Sequence, residues 1–408
     1  MPDTTAAKEY RYITKKRRVT EDRRFITGRG NFAADYNLPG MLHVAMVTSP
    51  YACAEIKGIN VEAALALPGV RYVLTGAELF ENINPLLSGL DLPNVKRIPL
   101  AHDRARYAGE WVAAVVAETR HIAEDAVELV EVDYNPIDFV IDPEEAMQPE
   151  APLVHPQHGS NVLCDKTWVW GDVDGDFDAA PHSLAFRARW SRCSTIPIET
   201  FVVTAKWDEG KELLDVWASI QMPKYPEQIA RALSLPVNAI NVHFDVDVGG
   251  SYGLKRGIRQ TVIVSYLTRK LRAPVRFNED RLENMSGGEM HGPDRIFDME
   301  VAFDDEGILH SLKIKATDDA GGYPGRAPLQ LGKPVSAIVG PYRIKSASYN
   351  AISVTTNKTS QEAVRGFGQA PTNFAIEAMV DKVARQLGME RDEVRRRNMI
   401  RADEFPYR

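Results

Sequence analysis

The alternation of hydrophobic and polar positions along the chain predicts a run of short strands and helices behind a polar start. Residues 41–48 form an apolar run of strand length. Residues 61–67 read as a short helix stopped by Pro68 and Gly69, and 70–74 as the next strand. Residues 111–117 are continuously apolar. Thr119 stands where it would cap a helix over 120–129, whose alanines and Val127 leave one face apolar, and 130–134 resumes as strand. This order predicts a compact α+β domain over 25–142, behind an N-terminal arm over 1–24. Residues 143–165 hold a stretch rich in Pro, Glu and Gln with no clear period, read as a linker or as an excursion tying two domains together. A second α+β region follows over 166–408. Strands are predicted at 184–190 and 213–219, and helices at 226–233 and 260–271. Residues 241–248 alternate, with Val242, Phe244, Val246 and Val248 on one side and Asn241, His243, Asp245 and Asp247 on the other. A hairpin pairs 299–303 with 309–316 across an Asp-Asp-Glu-Gly turn, and helices at 372–387 and 391–399 close the chain.

Composition narrows the function classes. With 408 residues, 44% hydrophobic and 26% charged, the chain is long enough for two or three cores. A net charge of −7 argues against a nucleic-acid partner. The basic run Lys15-Lys16-Arg17-Arg18 reads as a solvated arm or a subunit-docking arm, and no apolar segment follows it as a secretion signal would require. No apolar run approaches the roughly 20 residues of a membrane helix. A cytoplasmic protein is expected. Cys53, Cys164 and Cys193 are too few for an all-cysteine iron–sulfur cluster and read as reduced, mostly buried thiols. His155 and His158 fall in a proline-bearing segment that reads as a surface loop. A redox metal, if present, must then come with its own ligands.

Three stretches are candidates for chemistry. Gly249-Gly250-Ser251-Tyr252-Gly253, continuing through Lys255 and Arg256 to Gly257, joins a strand to a helix; it suits either a cradle for an anionic cofactor or a tight structural turn. It is neither a P-loop nor a GxGxxG motif. Arg365-Gly366-Phe367-Gly368 precedes another helix, with Pro371 near its first turn. It suits anion pairing and the stacking of a planar group, or a structural ion pair. Gln221 ends a strand, where a glutamine is ordinarily solvated.

The order and spacing of these stretches resemble the large subunit of the xanthine dehydrogenase and aldehyde oxidase family. Gln221 precedes the glycine loop by about 30 residues, the run Pro274 to Glu283 carries a Glu-Asp-Arg turn, and Arg365-Gly366-Phe367-Gly368 matches that family's Arg-Gly-Phe-Gly loop. Arg106-Tyr107-Ala108-Gly109-Glu110 and the stretch from Ala123 to Tyr134 are similar to its hammerhead domain. The resemblance covers residues 25–408. It implies an α/β-hammerhead-like domain followed by the first molybdopterin-binding α+β domain. It also implies a molybdenum–molybdopterin cofactor, in its cytosine dinucleotide form, whose metal is held by the pterin dithiolene. By the same resemblance Gln221 hydrogen-bonds an oxygen ligand of the metal. Gly249, Gly250, Ser251, Tyr252 and Gly253 lie against metal and pterin, with Tyr252 where Phe is usual, and Arg365 and Gly366 contact the cofactor. Phe367 walls a planar substrate, and Arg256 would favour an anionic one.

The family reaction is hydroxylation with water-derived oxygen, electrons leaving through [2Fe-2S] centres to FAD on partner subunits. It needs a carboxylate base, which the family carries near the end of a subunit far longer than this chain. Gly287-Gly288-Glu289 looks like that motif but stands in the wrong context. The resemblance therefore implies the first half of a split large subunit, and a longer subunit cut short would give the same sequence. The partners of such a half would be a C-terminal molybdopterin-binding half-subunit, an iron–sulfur subunit and an FAD subunit, assembled as a dimer of heteromers. Purine is disfavoured by Arg256, where purine enzymes carry Glu, and by Gly332-Lys333-Pro334, which lacks their arginine. Carbon monoxide is disfavoured by Gly366, where a cysteine would stand. An N-heteroaromatic ring or an aldehyde remains. Two other readings are a non-catalytic scaffold of the same fold that binds no cofactor, and a self-contained enzyme holding a nucleotide on the glycine loops.

Overall fold

The computed structural model describes residues 11–13, 15–90, 92–288 and 291–407. Glu289, weighed above as a base, lies outside the described residues, as does most of the start of the arm expected over 1–24. The fold is α+β, built on sheets of seven, five and three strands.

The seven-stranded sheet runs Ile240–His243, Leu213–Ala218, Val202–Asp208, Val275–Asn278, Leu42–Thr48, Trp111–Ala117, Val70–Thr75. Its last three strands come from the first region and its first four from the second. They join where Leu42–Thr48 pairs parallel with Val275–Asn278. Trp111–Ala117 lies between Leu42–Thr48 and the edge strand Val70–Thr75 and is buried along its whole length, which is why it reads as an unbroken apolar run. One core spans the join, packing Val44, Trp111 and Val116 with Phe201, Tyr225, Val262 and Phe277. The helix Ile258–Leu271 lies in this core and is buried on nearly every side, so the glycine loop ahead of it stands on a rigid base.

The five-stranded sheet, Val162–Trp170, Ser346–Thr355, Leu309–Gly321, Arg295–Phe303, His182–Trp190, contains the expected hairpin. It packs against the helix Gln369–Leu387 through Ala375, Ile376, Met379, Val380 and Val383, spaced as one helical face. The three-stranded sheet is Arg104–Ala105, Ala54–Asn60, Glu131–Pro136. Thr119 caps its helix as expected, its hydroxyl accepting from the Ile122 N–H at 3.2 Å.

Several expectations are corrected. Of the alternating stretch 241–248 only Ile240–His243 is strand, and Phe244 is 68% exposed. Asp247 pulls the chain out of the sheet by accepting from the Asn31 N–H and pairing with Arg24, forces that a hydrophobic period does not register. Of the three cysteines, all free, only Cys53 is buried, and Cys193 is exposed. The segment read as a linker contains the short helix Pro143–Ala146 and the beginning of Val162–Trp170. It also buries Val154 and His155, so His155 is not in a surface loop.

The His155 Nε2–H donates to the Gly322 carbonyl, 2.7 Å away. Burial, reinforced by the nearby Arg106 charge, pushes its imidazole down to about 3. The folded state thus holds a neutral ring that the unfolded chain protonates below about pH 6.5. Its stabilising contribution is present above that pH and is lost as pH falls toward 3. We predict that His155→Gln removes about 2 kcal/mol of the stability difference between pH 7 and pH 5. Urea unfolding of both proteins at the two pH values measures it; parallel losses would refute it.

Candidate active site

Three chain segments meet above the seven-stranded sheet. The Gln221 N–H, just past the strand Leu213–Ala218, donates to the Lys255 carbonyl at 3.1 Å. The Arg365 N–H donates to the Tyr252 carbonyl at 2.5 Å. Gly253 sits at φ +110°, and a Cβ built on it would lie 2.3 Å from the Ala363 carbonyl oxygen. The two glycine-bearing loops therefore touch backbone to backbone, a contact that only glycine allows at that position.

The first loop is clamped from beneath by one carboxylate. Glu199 Oε2 accepts from the Gly249 N–H and from the Lys255 ammonium, each at 2.6 Å, and so ties the two ends of the loop to a single point. Lys255 is fully buried, and burial lowers its pKa against the opposing pull of Glu199. Inside the loop the buried Ser251 hydroxyl accepts from the Lys255 N–H at 3.1 Å. Tyr252 takes a left-handed φ of +55°, a strain of about 1–2 kcal/mol for a side chain of this kind, and stands 52% exposed.

These segments line a cleft of about 1050 Å³. Gln221, Ser251, Tyr252, Gly253, Arg256, Arg365, Gly366 and Phe367, all expected from the sequence, lie on its wall together with Met222, Lys224, Gln228 and Arg326. Gly249 and Gly250 do not. Gly249 fronts a separate cavity of about 510 Å³ beside Phe25 and Phe32, and Gly250 packs against Pro197. Phe367 is half-buried, with the Lys333 ammonium 5.5 Å from its ring centre. The Gln221 side chain is exposed to the cleft.

Among the described residues the cleft wall carries four cationic side chains, Lys224, Arg256, Arg326 and Arg365, and no carboxylate or imidazole. Arg256 differs from expectation in one respect. Its guanidinium donates to Glu362 at 2.9 Å and to the Met222 sulfur at 3.3 Å, so its charge is already balanced where it meets the cleft. Glu199 and Arg326 were not legible in advance. An isolated acid before an apolar strand and an arginine in a glycine–proline turn carry no period or motif that marks them. Among the described residues no group of three or more His, Cys, Asp or Glu side chains is placed to hold a metal ion.

Comparison with known proteins gives consistent findings. The family described as the aldehyde oxidase and xanthine dehydrogenase a/b hammerhead domain matches residues 27–138, and the molybdopterin cofactor-binding domain matches residues 154–399. The 6-hydroxypseudooxynicotine dehydrogenase complex subunit gamma of Paenarthrobacter nicotinovorans is 32% identical over 397 residues, 95% of this chain and 49% of that protein. The nicotinate dehydrogenase large molybdopterin subunit of Eubacterium barkeri is 25% identical over 395 residues, and there 89% of the relative is covered. Quinoline 2-oxidoreductase from Pseudomonas putida 86 superposes with a TM-score of 0.88 at 34% identity, over 95% of this chain and 50% of that one. With the Eubacterium protein as an exception, the chain spans about half the length of these relatives.

Proposed function

The chain belongs to the molybdopterin-binding xanthine dehydrogenase and aldehyde oxidase family, and on that premise we propose that it forms one half of the cofactor cradle in a multi-subunit molybdenum hydroxylase acting on an N-heteroaromatic or aldehyde substrate with water-derived oxygen. The observation that carries this reading is the meeting of Gln221, the Gly249–Gly253 loop and the Arg365–Phe367 loop around one cleft.

The residues present fit the cofactor. Close backbone approach at Gly253, the positive φ values of Gly250 and Gly366, and a wall of cations without acids suit a flat, polyanionic pterin carrying a phosphate-linked cytosine nucleotide. When bound, that group supplies a metal to activate water and to take up the electron pair. The chain's own part is positioning. Ser251 to Gly253 and Gly366 offer backbone to the pterin, and Arg365 pairs its anionic oxygens. Gln221 offers a carboxamide to the metal's ligand sphere. Phe367 and Tyr252 confine a planar substrate between aromatic faces. Gly249 and Gly250 act one step behind, by fixing the loop on Glu199 and Pro197.

Among the described residues the wall offers no carboxylate or imidazole as the proton acceptor. We assign it to a glutamate on a C-terminal molybdopterin-binding half-chain, with [2Fe-2S] and FAD on further subunits, in a cytoplasmic dimer of heteromers. The 89% coverage of the Eubacterium barkeri nicotinate dehydrogenase large molybdopterin subunit supports this division.

Metal analysis of the complex purified through this chain tests the reading. Stoichiometric molybdenum is expected, and a metal-free, fully assembled complex would reduce the chain to a scaffold. In the loaded enzyme Gln221→Ala should lower turnover roughly 10- to 100-fold while molybdenum is retained, as for groups that act on a metal through its ligands.

A further inference from the structure

The charge balance behind the cleft singles out one residue. Among the described residues Arg97, Arg256 and Arg326 gather around one acid, Glu362. Its Oε2 accepts from Arg256 at 2.9 Å and its Oε1 lies 3.9 Å from Arg97. Glu362 is 4% exposed and faces a small cavity behind the cleft, shared with Arg97, Arg256 and Arg259. Both of its oxygens are thus taken up on that side. Arg326 is on the other side, on the wall with Phe367, Tyr252 and Gln221, half-buried, its guanidinium making no hydrogen bond or ion pair among the described residues. Burial, and then the neighbouring Arg256 charge, lower its pKa, the mark of a cation whose compensation is incomplete. A half-buried guanidinium without an anion is costly, and its planar fork of donors matches a carboxylate.

We propose that Arg326 is a substrate-recognition residue which pairs with a carboxylate carried by the planar ring that Phe367 confines. The substrate class is then an aromatic or N-heteroaromatic ring bearing an anionic group, and Arg256, neutralised by Glu362, is not the residue that selects it. This deepens the functional reading above and rests on the same cleft. Arg365 and Lys224, both exposed, remain for the cofactor's anionic groups.

The test is a binding titration on the assembled complex, which needs no turnover. Pyridine-3-carboxylate and its uncharged isostere pyridine-3-carboxamide serve as probes. The wild-type complex should bind the carboxylate roughly 10- to 100-fold more tightly, the range for a hydrogen-bonded charge pair. Arg326→Gln should abolish that preference, Arg326→Lys should retain part of it, and the molybdenum content should be unchanged in both. Equal affinity of the wild type for the two probes overturns the proposal. So does an undiminished preference in Arg326→Gln, or loss of molybdenum from that variant, which would give Arg326 to the cofactor. A complex free of molybdenum that still prefers the carboxylate would sink the hydroxylase reading and leave this one standing.

Discussion

Gly253→Val should yield a folded chain that no longer holds its cofactor. Gly253 has φ +110°, which costs any β-branched residue well over the roughly 1–2 kcal/mol of an ordinary left-handed side chain. Its new Cβ would also stand 2.3 Å from the Ala363 carbonyl oxygen, with the Arg365 nitrogen at 3.3 Å, so backbone rather than a pliable side chain must yield. The cheapest relief is for the two loops to separate, breaking the Arg365 to Tyr252 hydrogen bond at the rim of the cleft. A displacement of about 1 Å in a positioned site is worth some 100-fold in rate. We therefore expect activity to fall at least about 100-fold and molybdenum occupancy to fall with it, while circular dichroism stays native because Gly253 and Ala363 belong to neither large core. Gly58→Ala is the control: no atom lies within 4 Å of its Cβ, and it should change nothing. Wild-type metal content and activity in Gly253→Val would show that the loops do not form the cradle.

Glu199→Gln should cost stability rather than only activity. Lys255 is fully buried and its charge is met by Glu199 at 2.6 Å. Removing one partner of a buried pair strands the other, a loss of about 3–5 kcal/mol. The lone ammonium then holds a pKa below its unfolded value near 10.4, so the folded state prefers it neutral. Stability of the variant is lowest where the ammonium is charged and recovers as pH rises toward about 10. Chemical unfolding at pH 7 and pH 9.5 reads this, and an unchanged midpoint at pH 7 would refute it. The double variant Glu199→Leu with Lys255→Met should regain most of the stability, because the charge is gone. It should not regain activity, because the Gly249 N–H has lost its acceptor and the loop its anchor.

Much of this was readable in the residues, and the failures have physical causes. Buried strands such as Trp111–Ala117 and capped helices such as Arg120–Val127 carry their signal locally, in runs and cap residues. The cleft's glycines, its glutamine and its arginine–phenylalanine loop are legible because their backbones must approach other groups closely, which restricts the residue types that fit. Asp247, His155 and Arg326 are different. Asp247 and His155 owe their placement to partners more than 50 positions away in the chain and Arg326 its character to the want of a paired anion, and nothing in the flanking residues encodes this. Glu199 is subtler still, since its importance lies in serving two ends of one loop at once.

The pairing of Leu42–Thr48 with Val275–Asn278 also bears on how such enzymes can be recombined. Residues 27–138 and 154–399 are distinguishable as stretches of sequence, yet they are not interchangeable parts. A chimera taking only the first stretch from a relative would have to match a foreign strand, residue by residue, to Val275–Asn278 and refit Trp111 against Phe277. Successful exchange should therefore require both stretches to travel together, whereas a cut placed after residue 399 would leave every strand with its neighbours.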